Sequence, residues 1–287
     1  ITVGEDGPAL VGAFVGDDPD PDDNPSSLDY AITWLPGEGT VTNNGDGTFS
    51  FDPDGDFEDL AVGETRDVTF EYTATDSHGA VSDAATVTVT VTGANDASII
   101  SIGGDTTGGV TEIADGAPGE NSDNLTDSGS LAFTDVDLTD THTVSAADNG
   151  AGYIGSFGAV INGGAIDWNF TVNDSLLDNL NLGDTIVQSY DVTVDDGKGG
   201  TDTETFTITM TGTNDAPEIS FVTGNDAGTV VEDDATNTVS GQLDGNDVDT
   251  GALENWTVVG SGTGTYGALT VDGTGAWTYT LDSANPL

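Results

Sequence analysis

Positive charge is nearly missing from this chain. Its 287 residues include 2 Lys+Arg, Arg66 and Lys198, against 52 Asp+Glu, for a formal net charge of -50. A nucleic-acid partner needs many Lys and Arg to neutralise phosphates, so that class is excluded. The same shortage argues against a direct site on an anionic membrane surface. Nor can internal salt bridges balance the acids. Two carboxylates about 4 Å apart repel by roughly 1 kcal/mol even in water, so a fold that gathers them calls for an external cation, with a divalent ion the evident choice.

Cysteine is absent and His numbers 2, which removes disulfide scaffolds and thiolate metal sites. It also leaves few residues for the usual nucleophile–base pairs and oxyanion clamps. The chain therefore reads as non-enzymatic. No signal peptide and no apolar run of membrane-spanning length occurs, so no direct membrane insertion is expected. It opens at Ile1 without Met and stops inside a repeating pattern, and so reads as a piece of something longer.

What is present is a repeat. Thr86 to Gly93 reads TVTVTVTG and is followed by Ala94-Asn95-Asp96-Ala97. Thr205 to Gly212 reads TFTITMTG and is followed by Thr213-Asn214-Asp215-Ala216-Pro217. Strict alternation of Val87, Val89 and Val91, or of Phe206, Ile208 and Met210, with Thr marks a half-buried strand. The preceding strand repeats too, with Val68, Phe70, Tyr72 and Ala74 matching Gln188, Tyr190, Val192 and Val194. Leu60-Ala-Val-Gly-Glu64 matches Leu180-Asn-Leu-Gly-Asp184.

The front of the unit occurs three times. Gly12, Gly129 and Gly241 each open a short strand that runs into an Asp-x-Asp (Asp18 and Asp20, Asp135 and Asp137, Asp247 and Asp249), and each is preceded by a glutamate (Glu5, Glu112, Glu232). The expected fold is all-β: tandem immunoglobulin-like β-sandwich modules in an elongated rod, with modules at 1–97, 98–216 and an incomplete 217–287. So much like charge could signal disorder, but the alternating strands argue for folded units.

Asp196-Gly-Lys-Gly-Gly-Thr-Asp202, the strand Thr205–Thr211, Gly212-Thr-Asn-Asp-Ala-Pro217 and the hairpin from Gly264 to Asp282 resemble the VCBS repeat of very large bacterial surface proteins. The likeness touches all three modules and is more specific in the second and third. It implies the extender region of an RTX-type adhesin or related biofilm protein, with sandwiches similar to cadherin modules and calcium between them. No glycine-rich nonapeptide calcium repeat accompanies it.

A calcium ion takes six to eight hard oxygen ligands, and a junction where two module ends meet can assemble them. In a cadherin-like arrangement the first junction draws on Glu5, Asn95, Asp96, Asp135, Asp137, Asp195 and Asp196. The second draws on Glu112, Asn214, Asp215, Asp247 and Asp249. Glu64 and Asp184 are weaker candidates. Asp and Asn also favour turns for backbone reasons alone, and Asp52-Pro-Asp-Gly-Asp56 reads as such a turn. His78 and His142 read as exposed loop residues. Phe49, Trp168 and Trp277 read as recurring core aromatics rather than a sugar platform.

The sequence thus predicts an extracellular, cell-surface or secreted spacer for adhesion or biofilm, rigidified by Ca2+. Its partners would be calcium ions and neighbouring modules of the same chain. Two other readings stay open: a subunit of a self-assembling filament or surface layer, and a glycan-binding adhesin domain using the Gly-rich stretch Asn149–Ala159.

Overall fold

The computed structural model describes residues 1–20, 24–25, 27–220, 222 and 224–283. The expected third module therefore runs past the described residues at 284–287. The chain is built from strands, and the one helical turn among the described residues is a 3-10 turn at Asp174–Leu176. No helix among them is long and apolar enough to cross a membrane.

The first group of strands is β1 (Thr2–Gly4), β2 (Leu10–Ala13), β3 (Asp29–Trp34), β4 (Thr40–Asn43), β5 (Thr48–Asp52), β6 (Thr65–Thr75) and β7 (Ala85–Thr92). They form two facing sheets, ordered β1-β7-β6-β3 and β2-β5-β4. The second group is β8 (Ile99–Ile100), β9 (Thr107–Thr111), β10 (Asn124–Thr134), β11 (Thr143–Asp148), β12 (Ser156–Asn162), β13 (Ala165–Asn173), β14 (Thr185–Asp195) and β15 (Thr201–Thr211). Its sheets are ordered β12-β13-β10-β8 and β11-β14-β15-β9. The third group is β16 (Glu218–Ser220), β17 (Thr238–Gln242), β18 (Asp244–Asn246), β19 (Thr263–Gly264), β20 (Gly267–Val271) and β21 (Ala276–Leu281). It forms a sheet ordered β17-β21-β20-β19 and the small pair β16-β18. Tandem β-sandwich modules are what the alternating strands predicted.

The alternation fills the cores. Val89 and Val91 of β7 and Phe206, Ile208 and Met210 of β15 are fully buried, with Thr between them. Each of the first two modules has its own apolar core, around Phe51, Phe57 and Phe70 in one and Trp168, Phe170 and Phe206 in the other. Gln188 stands among the apolar residues of β14. It donates to Ile154 O and accepts from Ile154 N at 2.8 and 2.7 Å, which satisfies its amide in the core. Tyr153 donates to Ser189 O at 2.8 Å. Together they tie the Gly-rich stretch Asn149–Ala159 to β14.

The three front glycines lie within strands rather than at their starts. Gly12 pairs with Phe49, Gly129 with Trp168 and Gly241 with Trp277. A Cβ on Gly12 would stand 2.2 Å from the Phe49 ring; on Gly129 and Gly241 it would stand 2.7 Å from the indole nitrogen and closer still to Asp105 Oδ2 and Asn225 O, at 2.0 and 2.4 Å, so ring and neighbour together fill the space a side chain would take. Those indole N–H groups donate to Asp105 O and Asn225 O at 2.8 and 2.7 Å. With Phe49 and Trp168 both 2% exposed and Trp277 8%, all three aromatics are core.

The chain's entry and exit strands lie side by side. β1 pairs with β7, and β9 with β15, in parallel. A glutamate therefore follows the entry strand beside the point where the exit strand leaves for the linker: Glu5 N donates to Thr92 O at 3.0 Å and Glu112 N to Thr211 O at 2.9 Å.

Candidate metal centres at the two joints

At the first joint Glu5 is 4% exposed. Its Oε1 accepts the Ala94 amide at 2.6 Å and its Oε2 has no partner. Burial pushes its carboxyl up to about 7, against the Ala94 amide and helped by the charges of Asp96, Asp6 and Glu58. Asn95 donates to Asp196 Oδ2 at 2.9 Å, reaching from the linker into the second module. The Asp96 amide donates to Asp137 Oδ2 at 2.9 Å. Asp137 is 1% exposed. Burial raises the Asp137 carboxyl, as do Asp135, Asp140 and Asp96, while the Asp96 amide opposes this. Asp96 is raised in the same way, by burial and then by Asp6 and Asp135.

Asp135 and Asp196 are held differently. Burial acts upward on Asp135, but His142, Ser98 and the Asp137 amide outweigh it and hold the carboxyl low. Asp135 Oδ2 is 2.9 Å from His142 Nε2 and accepts from Ser98 Oγ at 2.8 Å. His142 is therefore a half-buried partner of Asp135, edge-on to Phe133, rather than an exposed loop residue. His78 is exposed, as expected. Asp196 is fully buried. Its Oδ1 gathers the amides of Lys198, Gly199 and Gly200 at 2.7, 3.0 and 3.0 Å. Burial is again outweighed, by Asn95 and those amides, and the carboxyl is held low. Asp195 is not brought to the joint in this way, and its Oδ1 instead accepts the Gly197 amide at 2.7 Å.

The second joint repeats the pattern. Glu112 is 4% exposed, its Oε2 accepts the Thr213 amide at 2.6 Å, and burial raises its carboxyl. The Asp215 amide donates to Asp249 Oδ2 at 3.1 Å. Burial and then Asp249, Asp178, Glu120 and Asp115 push the Asp215 carboxyl up to about 6. Asp247 Oδ1 accepts the Asp249 amide at 3.0 Å, as Asp135 Oδ1 accepts that of Asp137 at 2.9 Å. Asn214 is exposed and donates to Asp215 O at 2.7 Å. Thr250 N and Oγ1 both donate to Asn179 O, at 3.2 and 2.7 Å, and Asn181 Nδ2 donates to Thr250 O at 3.3 Å. The matching position at the first joint, Leu138, is 76% exposed.

Sequence reasoning missed several acids. Glu58 is half-buried, and burial and then Asp96, Asp6 and Asp137 raise its carboxyl. Asp178 is its counterpart, raised by burial and then by Asp174 and Glu120. The signal was available, because Phe57-Glu58-Asp59-Leu60 aligns with Leu177-Asp178-Asn179-Leu180. Asp6 and Asp140 also join the first joint through their charges on Asp96 and Asp137. The weaker candidates are taken up by their own turns: Glu64 Oε2 accepts the Ala61 amide at 3.3 Å, and Asp184 Oδ2 accepts from Asn181 at 2.8 Å. Asp52–Asp56 is a turn, with Asp56 capping the Gly39 amide at 2.8 Å.

One property unites the joints. Among the described residues, the buried side-chain polar atoms without a hydrogen-bond partner are Glu5 Oε2, Asn95 Oδ1, Asp96 Oδ2, Asp137 Oδ1 and Asp140 Oδ2 at the first joint, and Glu112 Oε1 and Asp249 Oδ1 at the second. All seven are oxygens that only accept. A buried oxygen left unpaired costs about 1–3 kcal/mol, more when charged. Among the described residues Arg66 is spent on Glu38 and Asp59, at 3.1 and 2.6 Å, rather than on these oxygens. Hard, unpaired oxygens of this kind at both joints suit a divalent cation such as Ca2+.

Residues 1–93 match a family of bacterial cadherin-like domains. Among solved structures the chain is similar to protocadherin gammaB7 EC3-6, with TM-score 0.50, 14% identity and coverage of 98% of this chain and 62% of that one. It is also similar to mouse cadherin-23 EC22-24, with TM-score 0.50, 15% identity and coverage of 100% and 84%. A third is PcdhgB3 EC1-4, with TM-score 0.51, 13% identity and coverage of 98% and 64%. The chain thus spans under two thirds of the length of the two protocadherin structures. At such identities the likeness is one of fold, which is cadherin-like. A comparison with curated protein sequences finds no match.

Proposed function

We propose that this chain is an extracellular spacer from a large bacterial adhesion protein, and that calcium at its joints sets its stiffness. The observation that carries this reading is the confinement of all seven unpaired buried oxygens to the two joints. A structural acid in a turn finds backbone amides to accept, as Asp52 does from Asp54 and Asp56 from Gly39; an oxygen buried without any donor is arranged for a cation that the side chains do not supply.

In this reading the modules are 1–97, 98–216 and 217–287. At the first joint Glu5, Glu58, Asn95, Asp96, Asp137 and Asp140 present oxygens to Ca2+, and Asp135 and Asp196 fix the linker and the facing loop. At the second, Glu112, Asp178, Asp215 and Asp249 take the equivalent parts, with Asp247 beside them. When bound, the ion supplies the positive charge that lets two acidic module ends lie together. The VCBS-like motifs and the bacterial cadherin-like match support placing the parent among RTX-type surface adhesins or biofilm proteins. A catalytic pair is disfavoured because the same acids recur at each joint. The anchoring of Tyr153 and Ile154 to β14 supports reading the Gly-rich stretch as structural rather than as a glycan site.

Small-angle scattering of the whole chain with calcium and with a chelator tests the proposal. The expected result is a longer maximum dimension and a higher Tm with calcium. An identical scattering profile and an identical Tm in both conditions would overturn it.

A further inference from the structure

The two joints differ by one loop. Between the entry strand and the next strand, the first module has Glu5 to Ala9, whereas the second has Glu112 to Asp123. The longer loop is anchored by Asp174, which is fully buried. Asp174 Oδ1 accepts the Ile113 amide and Oδ2 the Asn121 amide, each at 2.8 Å, so one carboxylate holds both ends of the loop. Its counterpart in the first module, Asp54, is exposed and accepts from Thr40 instead.

Inside the loop, Glu120 Oε2 accepts the Gly116 amide at 2.6 Å, which turns Asp115 and Glu120 toward each other. A carboxylate oxygen from each of Asp115, Glu120 and Asp215 lies within 4.8 Å of the others. Two residues that hold the linker at Asp215 each keep an unpaired buried oxygen. Glu112 grips the linker through the Thr213 amide and Asp249 through the Asp215 amide, and each has one oxygen left over. Those two residues are 4% and 6% exposed. Asp115 is exposed and Glu120 half-buried, which leaves an approach from solvent.

We propose that loop 113–121 gives the second joint a divalent-cation site without counterpart at the first, liganded by Asp115, Glu120 and Asp215 and bordered by the free oxygens of Glu112 and Asp249. The proposal rests on reading the joints as cation sites for Asp215, Glu112 and Asp249, while Asp115 and Glu120 are additions specific to this loop. Glu120 can accept its backbone bond and still ligate, because each carboxylate oxygen has two lone pairs. Asp174 acts as a positioning residue that presents the loop without touching the ion.

Equilibrium dialysis of the whole chain against radioactive calcium, for the parent and for two variants, decides the matter. D115N/E120Q changes surface-accessible side chains and is expected to bind one ion fewer per chain, or to bind its weakest ion at least tenfold more weakly. D137N, at the first joint, is expected to lose binding there while the loop ion stays. Unchanged stoichiometry and affinity in D115N/E120Q, with binding lost in D137N, overturns the loop site and leaves the joint reading standing. No calcium binding by the parent overturns both. D174N is expected to speed hydrogen exchange at the Ile113 and Asn121 amides and to lose the same ion. Loss of that ion with exchange unchanged would remove Asp174 from its positioning role.

Discussion

Gly93 passes so close to Leu60 that a Cβ on it would sit 2.1 Å from the Leu60 carbonyl oxygen and 2.4 Å from that of Ala61. Gly212 stands in the same relation to Leu180, whose carbonyl would be 2.5 Å away. The loops approached are those that carry Glu58 and Asp178, so a bare backbone is what lets the linker meet them. Gly93→Ala should destabilise the first module by about 1–3 kcal/mol through overpacking and weaken calcium binding at the first joint. Urea unfolding and calcium titration of the variant check this, and a variant that matches the parent in both measurements contradicts it.

Removing the Glu58 charge should matter more for the ion than for the fold. Glu58 is half-buried and its upward-shifted carboxyl reports burial first and then Asp96, Asp6 and Asp137. Glu58→Gln keeps the shape and deletes a ligand charge, so calcium affinity at that joint should fall by about tenfold or more. Stability in chelator should hold or rise slightly, because one repelling charge has gone. Calorimetric titration gives the affinity, and an unaltered binding isotherm would exclude Glu58 from the site.

Calcium itself should stabilise the chain. A ligand that binds only the folded state at ten times its Kd adds about 1.4 kcal/mol per site. Melting followed across a calcium series should show Tm rising with the logarithm of concentration, and magnesium should do less in a carboxylate-rich cage. A Tm independent of calcium would count against folded-state binding.

Without metal, pH should act with a definite sign. Burial first holds Glu5 up at about 7 from an ordinary 4.5, and Asp215 up at about 6 from 3.8. Acids that hold their protons more tightly when folded add stability below their unfolded pKa and lose it as pH rises through the folded value. In chelator, Tm should therefore fall as pH climbs from about 4 to about 7. Calcium takes the place of those protons and should flatten the slope. A chelated chain that melts higher at pH 8 than at pH 5 runs against this account.

The strands were legible because side-chain alternation is local, as in Val89 and Val91 against their threonines. Asp-x-Asp pairs and the Asn-Asp linker were legible because they recur at fixed spacing. Glu58 and Asp178 escaped because each is a lone acid in a turn, and only the fold sets that turn against the linker. Asp195 and Asp196 are separated by strand geometry: adjacent residues at a strand end point apart, and it is Asp196 that accepts from Asn95. Asp115 and Glu120 lie in a loop with no partner in the first module, and a distant carboxylate, Asp174, fixes their place.

The parallel pairing of entry and exit strands has a mechanical consequence. After the short β8 the chain crosses to β9, and it departs along β15; these two run side by side through Thr107↔Thr207 to Thr111↔Thr211. Pulling the chain from both ends drags these neighbours in opposite directions along their shared length. Every rung is then loaded at once, as in a lap joint, instead of one after another, as when a hairpin is peeled open. β1 and β7 lie in the same parallel arrangement, Thr2↔Thr90 to Gly4↔Thr92. Under tension each of these units should resist as a shear joint, holding until its rungs give way together.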